Sequence, residues 1–204
     1  MGEGDARATR GTRARRVIRA RTPCPERIAT SASLSSNESV AITLRDFRAG
    51  EFQLLWQLDQ QCFPRGIAYT QRELKHYMEA PGTFTIVAEA NGRESPDIAG
   101  FLVGQRHKRG LGHVVTIDVN PEFRREGVGT VMMQAAEQRL RSEGCHSIFL
   151  ETAVDNETAI SFYKRLGYTV LRTLPGYYMG DLDAFLMGKS LLDSATKRRT
   201  KTTR

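Results

Sequence analysis

Cysteine is scarce in this sequence, and no cysteine pattern typical of a disulfide framework or a zinc site is present. Cys24, Cys62 and Cys145 are odd in number and far apart, which indicates a reducing compartment. The four histidines show no spacing that would place two of them on one helix face. The sequence therefore predicts no metal site and a cytoplasmic location.

Long apolar runs are also missing. No segment approaches the roughly 20 apolar residues that a membrane-spanning helix needs, and Val17 and Ile18 form the longest apolar patch near the start. We therefore expect neither a membrane span nor a signal peptide.

Acidic residues are few only at the two ends. Residues 1–27 hold eight arginines against three acidic residues, and residues 189–204 hold six basic residues against one.

The basic character of the chain belongs to these ends, because the remainder holds 16 basic and 19 acidic residues. Residues 1–39 have too few large apolar side chains to offset the entropy of ordering, so we expect disorder there and in residues 193–204. Such tails could contact nucleic acid or a ribosome, although the lack of interleaved aromatic residues favours simple solvation. The sequence predicts one folded domain over residues 40–192, flanked by two disordered tails.

Within residues 40–192, the apolar pattern predicts alternating strands and helices. Strands are predicted at 40–44, 83–88, 98–103, 114–119, 147–151 and 168–174, and helices at 46–62, 70–78, 127–143 and 156–166. The strand, crossover helix and strand around residues 127–143 predict a parallel strand pair, and the flanking hairpins predict antiparallel pairs. We expect a mixed α/β fold with a single, mostly antiparallel sheet and helices on both faces.

The turn after residues 114–119 has a composition suited to phosphate. Asn120-Pro121 ends the strand, since proline has no amide hydrogen for a strand ladder, and Arg124-x-x-Gly127-x-Gly129 leads into the next helix. Glycines let the backbone approach a ligand closely, and the first amides of a helix favour negative charge. The pattern predicts a pyrophosphate cradle; the alternative is an ordinary strand-to-helix loop.

Four segments, in order, resemble the GNAT superfamily of acetyl-CoA-dependent N-acetyltransferases, and within it the RimI-type protein N-terminal acetyltransferases. The segments are Arg124-x-x-Gly127-x-Gly129; Leu150-Glu151 with Asn156; Ala159-Ile160, Tyr163 and Leu166-Gly167-Tyr168; and Tyr177-Tyr178 with Asp183-Ala184 and Met187. The resemblance covers residues 40–191. It implies the GNAT fold, in which the central parallel strands splay apart, and acetyl transfer to a primary amine.

The resemblance also implies how acetyl-CoA would bind. The pyrophosphate would be held by the residues of the glycine turn: Arg124, Arg125, Gly127, Val128, Gly129 and Thr130. Pantetheine would pair with the strand around Ile117 and Val119, and the amide of Val119 would meet the developing oxyanion. Asn156 would cap its helix and contact the CoA arm, whereas solvation is the alternative role for Arg125.

Two side chains would handle protons. The resemblance implies that Glu151, at the end of its strand, is the general base, directly or through water, and that Tyr163 protonates the departing thiolate during direct attack of the amine. For Glu151 to act in this way, partial burial would have to raise its pKa. The structural alternatives are a solvated strand-end carboxylate for Glu151 and a core aromatic for Tyr163.

The acceptor is less well specified by the sequence. The resemblance implies that Tyr177, Tyr178 and the segment that begins at Phe63 line the entry for a peptide, although the two tyrosines could instead pack a late hairpin. Typical members of the branch have Leu-Glu-Val-Arg where this chain has Leu-Glu-Thr-Ala. The leading prediction is acetylation of a protein N-terminus, of the ribosomal-protein type. The alternatives are a small-molecule amine acetyltransferase, a non-catalytic acyl-CoA-binding regulator and a nucleic-acid-associated protein.

Overall fold

The computed structural model describes residues 41–63, 67–91, 97–178 and 180–192. These ranges contain one sheet of seven strands, with the order β1-β2-β3-β4-β5-β7-β6. The strands are β1 (Ala41–Asp46), β2 (Thr83–Asn91), β3 (Asp97–His107), β4 (Leu111–Val119), β5 (Ser147–Ala153), β6 (Thr169–Tyr178) and β7 (Leu182–Ser190). The helices are α1 (Phe52–Cys62), α2 (Gln71–Met78), α3 (Val128–Ser142) and α4 (Glu157–Arg165).

The two central strands, β4 and β5, form the parallel pair that the sequence predicted. Their pairing covers three residue pairs, from Leu111 opposite Ser147 to His113 opposite Phe149. Beyond that point β4 stays paired with β3 and β5 stays paired with β7, so the two strands diverge. All other neighbouring strands are antiparallel. The predicted fold class and the predicted splayed pair are therefore confirmed.

One face of the sheet is covered by α3 and α4. The buried stripe of α3 includes Met132, Met133, Ala136 and Leu140, the spacing that places side chains on one side of a helix. These residues share an apolar core with the inward side chains of the central strands, among them Ile148. Gly144 follows α3 with φ +84°, and the amide of Cys145 donates to the carbonyl of Leu140, as expected for a glycine that ends a helix.

A buried charged network also attaches α3 to the far strands. Glu137 of α3 is 6% exposed, and both of its carboxylate oxygens accept from the Nζ of Lys189 on β7, at 2.9 and 2.7 Å. The Tyr168 hydroxyl donates to Oε1 of Glu137 at 3.1 Å. The buried carboxylate is thus compensated by a cation and a hydroxyl, which its burial requires.

The opposite face is covered by α1 and α2. Leu55, Leu58, Asp59 and Cys62 form the buried stripe of α1, and the apolar residues pack with Val87, Phe101, Val103 and Val115 of the sheet. Thr70 caps α2, since its side chain accepts from the amide of Glu73. The chain between the helices is anchored at Tyr69: its amide donates to Oδ2 of Asp59 at 2.7 Å, and its carbonyl accepts from Trp56 and Gln60.

The element boundaries differ from the sequence prediction where pairing overrides local pattern. The helix predicted from residue 46 begins at Phe52, because Asp46 still pairs with Ile86 in the β1–β2 ladder. The strand predicted at 114–119 begins earlier, at Leu111, where β4 pairs with His107 and Ser147. Both predicted tails lie outside the described residues. No helix in the described part of the chain is both long and apolar enough to span a bilayer.

Candidate active site

The gap between β4 and β5 exposes one edge of β4. The amide of Asn120 donates to the carbonyl of Ala99 at 2.9 Å, and hydrogen-bonded residues alternate along an antiparallel pair. The peptide groups of Ile117 and Val119 therefore face away from β3 and into the gap. The Val119 carbonyl there accepts from Nε of Arg124 at 3.2 Å and from Sγ of Cys62 at 3.4 Å. The two residues predicted to pair with pantetheine are thus the ones that present backbone groups to the gap.

The glycine turn leads from this edge into α3. Arg125 and Gly127 both have left-handed backbone conformations, with φ +69° and +83°. The first intrahelical bond runs from the amide of Val131 to the carbonyl of Gly127, so the amides of Val128, Gly129 and Thr130 precede it. A Cβ atom at Gly129 would lie 3.3 Å from the Phe162 ring. Alternating left-handed residues followed by helix-first-turn amides form a concave site suited to an anion.

A cavity of about 450 Å³ lies between the glycine turn, the open edge of β4 and α4. Its lining contains ten of the predicted site residues: Phe63, Ile117, Val119, Arg124, Arg125, Gly127, Val128, Gly129, Thr130 and Tyr163. Arg124 and Arg125 belong to the glycine turn, at the predicted anion-binding end. The cavity therefore joins the predicted anion site to the predicted acid, as a CoA arm would require.

Tyr163 occupies the inner wall of this cavity. Its side chain is fully buried, yet its hydroxyl has no hydrogen-bond partner among the described residues. Burial, together with the charge of Asp118, raises the pKa of Tyr163 above its ordinary value. The hydroxyl therefore keeps its proton at physiological pH and is available to donate to a group in the cavity.

Glu151 is 7% exposed and does not line this cavity. The expectation that it stands at the end of its strand is wrong, because β5 continues to Ala153 and Glu151 pairs with Leu186 of β7. Its Oε2 lies 3.1 Å from Nε2 of His113, the last β4 residue paired with β5. Glu151 thus lies just beyond the point where the strands diverge.

His113 links Glu151 to a second histidine. Its Nδ1 lies 3.4 Å from Nε2 of His107, and its ring stacks on Phe149 with centroids 4.3 Å apart. If His113 donates from Nε2 to the carboxylate, it accepts at Nδ1, so one tautomer satisfies both contacts. Burial, and then the neighbouring His113, lower the pKa of His107. Helix spacing does not reveal this pair, because the two histidines meet across the β3–β4 hairpin.

Cys62 is the one thiol that lines the cavity among the described residues. Burial, followed by the charge of Asp118, raises the pKa of the Cys62 thiol to about 12. The thiolate is the nucleophilic form of cysteine, and it is essentially unpopulated near neutral pH. This thiol is therefore unsuited to carry an acyl group.

The predicted acceptor residues are divided by the structure. Phe63 ends α1, is buried and lines the cavity, whereas residues 64–66 of the predicted wall lie outside the described residues. The rings of Tyr177 and Tyr178 form a T-shaped pair with centroids 5.3 Å apart. Both tyrosines belong to a small apolar cluster with Leu174, Leu182, Ala153 and Ala184. Neither tyrosine lines the cavity, so the hairpin-packing alternative describes the contacts that they make.

Asn156 caps α4, as predicted, because its Oδ1 accepts from the amide of Ala159 at 3.1 Å. Its contact with a CoA arm remains a prediction, since Asn156 is fully buried and is not part of the cavity wall. The sequence missed several wall residues: Cys62, Asp118, Phe123, Thr158, Ala159, Phe162 and Arg165. Asp118 had a signal, since it is an acidic residue inside an apolar, β-branched strand.

The chain matches a known protein family over much of its length. The profile of the Acetyltransferase (GNAT) family matches residues 52–168. The chain is similar to the N-alpha-acetyltransferase of Sulfurisphaera tokodaii, with 38% identity over 160 residues that cover 72% of this chain and 92% of that protein.

Two solved structures are also similar. Ard1 from Thermoplasma volcanium has 29% identity and a TM-score of 0.66, covering 76% of this chain and all of that one. The ribosomal-protein-S18-alanine N-acetyltransferase from Escherichia coli has 19% identity and a TM-score of 0.64, covering 76% of this chain and 96% of that one. The latter likeness is one of fold.

Proposed function

Because the chain belongs to the Acetyltransferase (GNAT) family, as its four sequence segments predicted, we propose that it acetylates the α-amine of a protein N-terminus. The chain is an acetyl-CoA-dependent N-acetyltransferase. The proposal concerns the acceptor and the residues that act on it. The observation that carries it is the cavity that runs from the glycine turn to Tyr163, a tyrosine whose hydroxyl has no partner among the described residues, in a chain similar to named N-alpha-acetyltransferases.

The residues present fit CoA. The glycine turn offers amides at a helix start and two arginines, Arg124 and Arg125, for the pyrophosphate, and the exposed Arg165 adds a cation on the opposite wall. A Cβ at Gly129 would crowd Phe162, which explains why a side chain is absent there. Ile117 and Val119 direct backbone groups into the gap, where pantetheine would add to the sheet edge. Bound acetyl-CoA supplies an activated thioester.

Glu151 is the proposed base. The acceptor nitrogen must lose a proton as it forms a bond to the thioester carbonyl carbon, and that proton passes to Glu151, directly or through water. His113 holds the carboxylate at 3.1 Å, and His107 holds His113 in turn. In other proton-transfer sites, a base is held in place by a neighbouring side chain, which a third group orients in turn. We assign His113 and His107 positioning roles.

Tyr163 is the proposed acid. When the carbon–sulfur bond breaks, the leaving thiolate takes the proton of the Tyr163 hydroxyl, which is protonated and has no competing partner among the described residues. The high pKa of the Cys62 thiol supports direct attack of the amine, without an acetyl-cysteine step. Tyr163 later recovers a proton from solvent and Glu151 releases one to solvent, so the two proton transfers balance over one turnover.

The acceptor wall is the least defined part of the site. Phe63 lines the cavity and would contact the first side chain of a peptide, whereas Tyr177, half-buried, would contact it from the β6–β7 hairpin. A ribosomal protein in the cytoplasm is the acceptor that we propose first, since the fold is shared with an enzyme named for such a substrate. Contact of the basic tails with a ribosome or nucleic acid stays a prediction.

The test is acetyl-CoA consumption against matched amines. Each peptide contains an internal lysine and is offered in two forms, one with a free α-amine and one that is N-acetylated. Spermidine and an aminoglycoside are the small amines that are tested beside them. We expect turnover that requires the free α-amine and that falls in Glu151→Gln and Tyr163→Phe. Turnover with small amines alone would replace the proposed acceptor. Tight CoA binding without turnover on any amine would favour a non-catalytic regulator.

A further inference from the structure

Asp118 is a buried carboxyl group that the mechanism above does not use. It lies on β4 between Ile117 and Val119, is 1% exposed and lines the same cavity as Tyr163. Its Oδ2 accepts from the Thr116 hydroxyl at 3.0 Å. Its Oδ1 has no hydrogen-bond partner among the residues that the structure describes. One half of this carboxyl group is therefore satisfied within the fold, and the other half is not.

The groups around Asp118 make its ionised form costly. Burial of Asp118, followed by the charge of the fully buried Asp59 of α1, raises the pKa of Asp118. The Thr116 hydroxyl and Arg124 lower it. Cys62 of α1 and Tyr163 of α4 also face it, and the charge of Asp118 raises the pKa of both. Burial and Asp59 outweigh Thr116 and Arg124, so the pKa of Asp118 lies well above its usual range.

A carboxyl group of this kind weakens the fold. An unsatisfied buried polar atom destabilises a protein, and an apolar or amide side chain at residue 118 would avoid the repulsion from Asp59. The position is not a peripheral one, because the wall that holds Asp118 also holds the gap-facing residues Ile117 and Val119. The orphaned oxygen therefore suits a ligand that brings both a hydrogen-bond donor and positive charge.

We propose that Asp118 is an acceptor-binding residue, whose Oδ1 accepts a hydrogen bond from the primary ammonium group of the substrate. This inference rests on the proposed function and specifies how its acceptor is recognised. An ammonium group supplies the missing donor and compensates the charge of the carboxylate. Binding a cation favours ionised Asp118 and so opposes the effect of burial and Asp59 on its pKa. The anchored ammonium group has no lone pair, so it first gives one proton to solvent. Glu151 then takes the second proton as the nitrogen–carbon bond forms, whereas Asp118 anchors the nitrogen.

The first measurement is calorimetric binding to the full-length protein saturated with CoA, which lacks the acetyl group and so prevents turnover. The probes are a dodecapeptide with a free α-amine, the same peptide N-acetylated, and spermidine. Asp118→Asn removes the charge and keeps the shape. Asp46→Asn, at the exposed end of edge strand β1, makes the same chemical change away from both the cavity and the β6–β7 hairpin, and serves as the matched control.

We expect Asp118→Asn to lower the affinity for the free-amine peptide about tenfold or more, the loss typical of a hydrogen bond to a charged group. CoA affinity and binding of the N-acetylated peptide should stay within about twofold, and Asp46→Asn should bind all probes as the parent protein does. Because the anchor recognises an ammonium group, spermidine and the peptide distinguish the two acceptor classes. Asp118-dependent binding of spermidine alone would preserve the anchor and refute the peptide acceptor.

Thermal stability separates anchoring from a structural role. A carboxyl whose pKa is raised on folding destabilises the fold as pH rises above its unfolded value, near 4. Asp118→Asn should therefore raise Tm at pH 8, and the difference should shrink as the pH falls to about 4 and vanish below about pH 3, where Asp118 is protonated in both states. A lower Tm at pH 8 with unchanged peptide affinity would overturn the proposal in favour of a structural role. Unchanged peptide affinity with lost turnover would overturn it in favour of proton abstraction by Asp118.

Discussion

His113 and Glu151 meet across the point where the two central strands separate. His113 is the last β4 residue opposite β5, and its Nε2 lies 3.1 Å from Oε2 of Glu151, two residues beyond its own partner Phe149. The paired part of the strands thus holds the histidine, and the start of the gap holds the carboxylate. The position of the proposed base is fixed by sheet register.

Replacing these two residues should affect turnover and leave CoA binding intact. Glu151→Gln should lower kcat by about 10² to 10⁴, the usual contribution of a general base. His113→Asn should lower kcat by about 10 to 100, because the carboxylate keeps its identity and loses its orienting donor. The readout is the full pH–rate profile with a peptide acceptor, since loss of orientation alone should reduce the plateau in His113→Asn without removing the base limb.

His76→Gln is the control for the histidine change, because His76 lies exposed on α2 and contacts neither residue. It should show the parent profile. Parent-like kcat in His113→Asn would remove His113 from the mechanism, and a large increase in the KM for acetyl-CoA would indicate a folding defect instead of a positioning one.

Tyr163→Phe should make the protein more stable and less active. The Tyr163 hydroxyl is fully buried without a partner in the described structure, so its removal relieves an unmet hydrogen-bonding group and should stabilise the fold by about 1 kcal/mol. The same change removes the proposed acid and should lower kcat by about 10² or more. Urea unfolding and steady-state kinetics on one preparation measure both. A destabilised variant with parent-like kcat would assign Tyr163 to the core alone.

Gly127→Ala should weaken CoA binding beyond its effect on stability. Gly127 has φ +83° with open space where a Cβ would stand, so alanine introduces backbone strain of about 1 kcal/mol and no clash. Gly144, at the other end of α3, has φ +84° and the same open space. Gly144→Ala is therefore a matched control that should lose the same stability and keep the parent Kd for CoA. Equal CoA affinities in the two variants would argue against the anion cradle.

Cys62→Ala should retain turnover within about threefold. The Cys62 thiol has a pKa of about 12, so it is protonated at neutral pH and takes no acetyl group in the proposed mechanism. Initial-rate plots with both substrates varied should intersect in the parent protein, whereas parallel lines would indicate an acetyl-enzyme. Recovery of acetylated Cys62 by mass spectrometry after incubation with acetyl-CoA alone would refute direct transfer.

Lys189→Met should destabilise the fold by about 2 kcal/mol. Lys189 compensates the buried Glu137 carboxylate at 2.7 and 2.9 Å, and removing one partner leaves a charge with little solvent contact. The partial exposure of Lys189 makes the loss smaller than for a fully buried pair. Lys164→Met on the exposed side of α4 is the control in urea unfolding. Equal unfolding free energies in the two variants would mean that Tyr168 suffices to stabilise Glu137.

The order of elements and the shape of the glycine turn were accessible from sequence because both depend on local chemistry. Strand runs, the Thr70 cap, the Gly144 helix end and the Arg124-x-x-Gly127-x-Gly129 turn each involve residues close in the chain. Boundaries were less predictable. Gln105, Arg106 and His107 are polar, yet they remain in β3 because β4 pairs with them. Strand length is decided by the partner as much as by the pattern.

The proton-handling surroundings could not be predicted in the same way. His113 and Glu151 are 38 residues apart, and their contact depends on the register between β4 and β5. The carboxyl groups of Asp59 and Asp118 interact only because α1 packs under the end of β4. Tyr177 and Tyr178 show the opposite case, in which a motif suggested a substrate wall and hairpin packing accounts for the observed contacts.

Only three residue pairs join β4 to β5, and the sheet can be described as two halves on either side of them. One half, β1 to β4, holds Ile117, Val119 and Asp118, and the other half, with α4, holds Glu151 and Tyr163. The proposed base and acid thus lie on one half and the proposed amine anchor on the other, while the shared core around α3 joins the two halves. A molecule seated in the gap would contact both halves, so the substrate itself would complete the reactive site.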